Sequence, residues 1–429
     1  MKPSAYASYK PSGVAWLGDV PEHWALRSLR YAATIQNGSD FKEHEVEEGG
    51  YPVLGSGGEF ARISKFIYDQ PSVLLGRKGT IDNPLYIEEP FWTVDTLFYT
   101  KIANDTHPKF FYWFCTSIPF GYFQYGSAVP SMTQNDLYAI KVPTPALEEQ
   151  QTIANFLDAQ TAKIDTLLAK KRQFIDKLKE KRSTLIARTV TRGLPPDAAQ
   201  AAGLEPHPAM EDSGVEWLGQ IPAHWQMKRL ISQFKSVGGG TPSKANSEFW
   251  DGDIPWVSPK DMSSRIITDT EDHITLEAIS ESATKIVPQD ATLVVVRSGI
   301  LRHTIPVATN LVAMALNQDM KALIAIGEVT NKYLVYFIEG HNRSLLNAWT
   351  KSGCTVESIE SSFMLNTLLP VPPGPEQQAI AAYLDRETAR IDQLTAKVEA
   401  AISCLTEYRQ ALITAAVTGK IDVRARTVG

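Results

Sequence analysis

The sequence predicts an α+β chain in which two globular α+β units, related by pseudo-two-fold symmetry, are separated by a long antiparallel two-helix coiled coil. Three observations predict this. SGVAWLGDVPEHW, from Ser12, returns as SGVEWLGQIPAHW from Ser213, which marks duplication of a whole module. EQQTIANFLDAQTAKID, from Glu149, returns as EQQAIAAYLDRETARID from Glu376, each at the head of a heptad-spaced apolar run. Between these markers, short β-rich runs (ISKFIY, LYIEEPFWTV, ATLVVV) alternate with helical stretches such as the one near Asn331 to Trp349.

Taken in order, residues 1–145 form the first globular unit and 146–193 the first long helix. Residues 194–212 form a Pro- and Ala-rich linker, 213–374 the second globular unit, and 375–429 the second long helix with a tail. The apolar turn LLGRKG (from Leu74) is matched by VVVRSG (from Val294), and GSAVPSM (from Gly126) by GCTVESI (from Gly353). The repeat offset grows along the chain, so the second copy has gained about 26 residues in its centre. Pro143 and Pro145 stiffen the entry to the first helix, and Glu148 and Glu149 place negative charge at the positive end of its dipole. Gly193 and Gly419 mark the helix ends.

The seam reads Leu157, Ile164, Lys171, Leu178 and Leu185 on the first helix, and Leu384, Ile391, Val398, Leu405 and Leu412 on the second. Such a stripe is too apolar for a lone helix in water, so the two helices pack on each other, and antiparallel pairing relates the two repeats. Lys171 either fixes register or snorkels from the seam.

Composition narrows the function. The chain has 429 residues, 43% hydrophobic and 21% charged, and its formal net charge is −6. This is a folded chain, and any nucleic-acid contact must come from local patches, since bulk charge is unfavourable. Only the 146–193 segment is net positive. Three scattered cysteines suggest neither a disulfide framework nor a zinc ribbon, and the absence of a signal or spanning segment leads to a cytoplasmic expectation with no membrane.

Catalytic and metal motifs are not expected. Asp82-Asn83-Pro84-Leu85 lacks the second proline and the aromatic of an adenine-methyltransferase loop. The string from Gly238 to Lys244, GGGTPSK, breaks the spacing of a phosphate-binding loop. No histidine pair has metal-binding helical spacing.

Taken together, the doubled WLGxxPxHW opening, the GS-x-x-P-S string of the first half, and the Pro-rich entry with Glu-Gln leading a heptad helix resemble the specificity subunit of type I restriction-modification enzymes. The resemblance spans nearly the whole chain. Its one mild departure is Glu357, which stands where the first copy has Pro130. It implies that each globular unit is a target recognition domain reading one half of a split double-stranded DNA site. It further implies that the helices separate the domains and hold two modification (methyltransferase) subunits, with restriction subunits in the larger complex. The chain itself is then non-catalytic, and S-adenosylmethionine, ATP and magnesium belong to the partner subunits.

Major-groove reading calls for Arg, Lys, Asn or Gln on exposed loops. The Arg-x-Gly turns supply the first candidates: Arg77, Lys78 and Thr80 in one unit, and Arg297, Ser298, Arg302 and His303 in the other. Lys244, Lys260 and Lys351 follow. The alternative for each is a solvated side chain on a glycine turn. FFYWF, from Phe110, reads as core more readily than as a base-stacking platform. Trp16, Trp24, Trp217 and Trp225, with His23 and His224, read as frame packing, and Glu43, Glu45, Glu47 and Glu48 as a solvated face. The competing function is a coiled-coil scaffold with protein-binding ends and no DNA specificity, a reading that the acidic net charge favours.

Overall fold

The computed structural model describes residues 4–123, 130–350 and 357–424. They divide into two compact units, Met1–Arg172 with Val398–Gly429 and Gln173–Lys397. Both long helices cross that division. The first runs Leu147–Arg192, over 46 residues, and the second Gly374–Val417, over 44. The first unit therefore holds the start of the first helix and the end of the second, the second unit holds the converse, and the helices run antiparallel.

Each unit supplies its own section of helix pairing. In the first, Leu157, Ile164 and Leu168 share a core with Leu412, Ile413, Ala416 and Val417, and Arg409 donates to Asp165 at 2.8 Å. In the second, Ile186 and Val190 share a core with Ile380, Ala381 and Leu384, and Arg182 donates to Asp392 at 2.9 Å. These two ion pairs join repeat-equivalent residues, Asp165 matching Asp392 and Arg182 matching Arg409. The seam departs from strict heptads near the helix ends. Leu185 and Leu405 are only half-buried, whereas Ile186 and Ile413 are fully buried. A straight helix of 3.6 residues per turn drifts against a 3.5 repeat, and the buried stripe moves to the neighbouring position. Lys171 is half-buried in that stripe.

In the first unit, Tyr9–Pro11 pairs with Asp19–Pro21, and Ala25–Ser28 with Lys141–Thr144. Beyond them lie two four-stranded sheets. One has the spatial order Ala33–Asn37, Leu97–Ile102, Ser72–Gly76, Leu85–Ile87; the other Trp92–Thr93, Tyr51–Gly55, Gly58–Ile63, Glu45–Val46. The helix Pro108–Cys115 carries FFYWF, of which Phe110, Phe111, Trp113 and Phe114 are buried in the core, so the string packs and does not stack bases. The second unit repeats the two-stranded pairs as Met210–Asp212 with Gln220–Pro222 and Gln226–Arg229 with Leu368–Val371. Met210–Asp212, together with the short helix Pro196–Ala201, lies within the segment expected as linker. One sheet of this unit has five strands, in the order Phe234–Gly238, Met320–Ala325, Thr292–Val295, Val307–Asn310, Ile266–Ile267. The extra strand comes from the longer centre of the second copy.

The frame that joins sheets to helices is the same in both units. Gln150 is buried and donates to the Asp105 and Pro145 carbonyls while accepting from the His107 backbone N–H. Gln377, equally buried, donates to the Glu328 and Pro372 carbonyls and accepts from the Thr330 N–H. His107 and Thr330 are the N-caps of helices Pro108–Cys115 and Asn331–Gly340, so each glutamine ties a helix start to a long helix. His23 meets Glu149 at 3.0 Å and His224 meets Glu376 at 2.9 Å. Trp24 and Trp225 are buried against Gly419 and Gly193, both at positive φ, where the long helices end. The tryptophans and histidines of WLGxxPxHW are thus frame packing. Among the described residues, no helix is long and apolar enough to cross a membrane.

Candidate nucleic-acid interface

The loops at one end of each unit's sheets are brought together by backbone close approach. A Cβ on Gly38 would lie 2.2 Å from the Val94 carbonyl oxygen, and one on its repeat mate Gly239 would lie 2.0 Å from that of Asn317. Only glycine fits at these positions, and each presses the loop after the first sheet strand onto the loop before the long central strand. In the first unit, Trp92 Nε1 donates to the Ser39 carbonyl and Gln134 to Asn37. In the second, Trp256 Nε1 donates to the Gly240 carbonyl, Trp250 Nε1 to the Ser243 carbonyl, and Thr241 to Gln318.

The Arg-x-Gly turns sit in these clusters. The Arg77 backbone N–H donates to the Thr96 carbonyl at 2.9 Å, its guanidinium lies 5.8 Å from the Phe98 ring centroid, and Lys78 Nζ lies 3.8 Å from Asp95 Oδ2. Gly79, at positive φ, donates to the Pro130 carbonyl, and Met132 donates to the Arg77 carbonyl. Lys78 and Thr80 are exposed and Arg77 partly so. In the second unit, the Arg297 N–H donates to the Asp319 carbonyl at 3.2 Å and its Nε lies 3.0 Å from Asp319 Oδ1. Ser298 donates its N–H to the Glu357 carbonyl, Arg302 pairs with Glu357 at 3.7 Å, and Ile359 donates to the Val296 carbonyl. Arg297, Arg302 and His303 are exposed, and the Ser298 hydroxyl accepts from the Ile300 N–H, capping the short helix Gly299–Arg302.

Of the remaining candidates, Lys244 is exposed on the Gly238–Lys244 loop beside this cluster. Lys260 is tied to Glu271 at 2.9 Å and Asp272 at 3.0 Å. Hydrogen bonds from those two carboxylates push its ammonium up to about 12, so its charge is answered within the unit. Lys351, with the strings from Gly126 to Val129 and from Gly353 to Val356, lies outside the described residues. Single-residue reasoning missed Asp95 and Asp319, which hold the turn cations in each unit. The repeat carries no signal for them: with TVDTLFYT laid on LNQDMKAL, Asp95 falls on Gln318 and Asp319 on Thr96. Glu43, Glu45, Glu47 and Glu48 are exposed, as a solvated face requires.

Chemically, each cluster presents a guanidinium and polar loop groups on an exposed rim, with a carboxylate behind the cation. Such a set can donate paired hydrogen bonds to a base edge or to phosphate oxygens. Among the described residues, no group of three or more His, Cys, Asp and Glu side chains could hold a metal ion.

The duplicated arrangement has counterparts among known proteins. A family model for the type I restriction modification DNA specificity domain matches residues 21–177 and 222–403, most of the chain. Over 205 residues the chain is 38% identical to the specificity subunit of the type I restriction enzyme EcoR124I/EcoR124II of Escherichia coli, covering 47% of each. Over 170 residues it is 31% identical to the MjaIX specificity subunit of Methanocaldococcus jannaschii, covering 39% of this chain and 38% of that one. The matched part thus spans about half or less of these relatives. In fold, the chain resembles one from a structure described as "Structural basis underlying complex assembly and conformational transition of the type I R-M system". That likeness has a TM-score of 0.70 at 15% identity and covers 93% and 98% of the two chains. The HsdS subunit from Thermoanaerobacter tengcongensis gives a TM-score of 0.51 at 16% identity, covering 94% and 98%. With both halves matching the family model and the same frame built twice, this chain belongs to the type I restriction modification DNA specificity family.

Proposed function

We propose that this chain is the non-catalytic subunit that gives a type I restriction-modification complex its DNA sequence specificity. Each unit reads one half of a bipartite, asymmetric duplex site. The carrying observation is the repeated loop cluster: Arg77 and Arg297 occupy equivalent turns whose backbone N–H groups meet equivalent carbonyls, those of Thr96 and Asp319, and one turn cation in each unit pairs with an aspartate, on frames whose glutamine clamps recur. The residues around those turns differ between units, which suits two unlike half-sites. Arg77 and Arg297 serve as base readers, while Lys78, Thr80, Ser298, Arg302, His303, Lys244 and Lys351 contact phosphate or flanking bases.

The paired helices set the gap between half-sites, because a helix advances a fixed ~1.5 Å per residue. Their outer faces, including Lys170, Arg172, Lys177 and Lys181, dock two modification subunits, and restriction subunits join the larger complex. S-adenosylmethionine, ATP and magnesium belong to those partners.

Methylation-sensitive sequencing of a host that carries the complete system, with and without this gene, tests the reading. The expected result is one pair of short unlike motifs at fixed separation that loses methylation on deletion. An unchanged methylation pattern would favour the protein-binding scaffold, for which the net charge of −6 is the supporting observation.

A further inference from the structure

The second unit contains a feature that the Arg297 cluster does not use. A cleft of about 780 Å³ lies between the first long helix, from Lys179 to Ile186, and the segments 302–304 and 339–347. Lys179, Arg182, Arg302 and Arg343 line it together with His303 and His341, and Glu339 is the one carboxylate among the lining residues. Glu339 is already answered twice, by Arg182 and by Arg265, whose Nη2 lies 2.8 Å from Glu339 Oε2. His341 is no cation here, since burial holds its imidazole down at about 4, and its Nε2 meets the Thr191 hydroxyl at 2.8 Å. Lys179 and Arg343 are exposed, and neither forms an ion pair among the described residues. Asn342, Ser344 and Asn347 add polar groups along the wall.

Two facts make this concentration of positive charge informative. Lys179 and Arg182 come from the basic first helix, but Arg302 and Arg343 come from the segment 194–374, which carries more acidic than basic residues, so the cleft gathers cations from an otherwise acidic segment onto the basic helix. The cleft also opens at Arg302 and His303, directly after the turn that begins at Arg297. In the first unit the equivalents of Lys179 and Ser183 are Thr406 and Gln410, and Gln410 is spent donating to the Thr116 carbonyl.

We infer that this cleft grips the phosphodiester backbone of duplex DNA leaving the second unit's half-site, a sequence-independent hold with no counterpart built from the same residues in the first unit. The inference rests on the reading of the chain as a DNA-specificity subunit and assigns the ligand of a site outside the reading loops. Phosphate fits the site because it asks for cations and neutral donors without base-edge geometry. Arg182, fixed by Glu339 and Asp392, supplies a rigid wall, and Lys179 and Arg343 supply the charges free to pair.

The test uses the full chain assembled with its modification subunits, and binding to two duplexes across a salt series. One duplex carries the methylated motif found by sequencing; the other is scrambled. The variant is Lys179→Gln with Arg343→Gln, both at exposed positions, beside Lys235→Gln, an exposed lysine on the strand Phe234–Gly238, outside the cleft and off the long helices. The double variant is expected to bind both duplexes more weakly by the same factor, keep its preference for the motif, and lose about 2 from the slope of log K against log salt. Lys235→Gln is expected to match the parent. A double variant with unchanged affinity and slope overturns the inference, and if it instead recovers less modification subunit on purification, the cleft belongs to an acidic protein face. If the parent complex prefers neither duplex, the specificity reading has failed, whatever the slope does.

Discussion

In the first unit the carboxylate of Asp95 faces Lys78 at 3.8 Å, while Arg77 lies over Phe98 and donates from Nη1 to the Asp95 carbonyl at 3.5 Å; in the second, the Asp319 carboxylate takes Arg297 itself at 3.0 Å. Around this difference the frames are nearly superimposable in their bonding: His23 with Glu149 against His224 with Glu376, and Gln150 against Gln377. The lesson is that a domain can keep its attachment fixed while its exposed rim changes. The attachment is buried and polar, so each partner is dictated by the others, whereas the rim faces solvent and is free to vary.

The comparison breaks most severely at the frame. Trp24→Ala and Trp225→Ala each remove a fully packed ring and are expected to destabilise their own unit by about 3–5 kcal/mol. Urea titration followed by circular dichroism should give similar losses for the two variants; a large inequality would mean that the frames are not energetic equals. The helix-end glycines sharpen the point. Both need positive φ, but a Cβ on Gly419 would lie 2.3 Å from Pro21 Cδ, whereas one on Gly193 has nothing nearer than 3.4 Å. Gly419→Ala is expected to cost roughly 2–4 kcal/mol and Gly193→Ala about 1 kcal/mol, the φ penalty alone. Equal thermal shifts would contradict this.

At the rim, Arg297→Ala is expected to relax discrimination by about 1–3 kcal/mol at one position of one half-site, and Arg77→Ala to do so at the other half. Competition binding with single-base variants of the motif checks both. A uniform loss at every position would instead assign these arginines to phosphate.

The smallest effect is on pH dependence. His341 has its imidazole held below the ordinary value by burial, so the unfolded chain takes up that proton first as pH falls through about 6.5. The stability concerned is present above that pH and is lost progressively toward about 4. Parent chain should lose roughly 1 kcal/mol by pH 5.5 from this group, and His341→Asn should flatten the dependence of the urea midpoint over that interval. An unaltered slope would count against the assignment.

The helices, the duplication and the packing role of Trp24, Trp225 and FFYWF were legible because repetition and periodicity are properties of the string itself. The drift of the seam from Leu185 to Ile186 was not, since a heptad template carries no record of the mismatch between 3.5 and 3.6 residues. Gln150 and Gln377 were visible as part of EQQ, but their clamping role depends on carbonyls at Asp105 and Glu328, more than 40 residues away. The Arg-x-Gly turns were found by pattern, while Asp95 and Asp319 were missed because an ion pair between loops has no local signature. Lys260 illustrates the converse, a lysine that looks available until Glu271 and Asp272 fold onto it.

The central claim is that two independent readers share one frame. It is tested most directly by replacing the loops around Arg297 and Glu357 with those of a relative of different specificity and sequencing the methylated motif made by the resulting complex. The account predicts that one half of the motif changes while the other half and the gap between them stay as they were. A change in both halves, or in the gap alone, would contradict it.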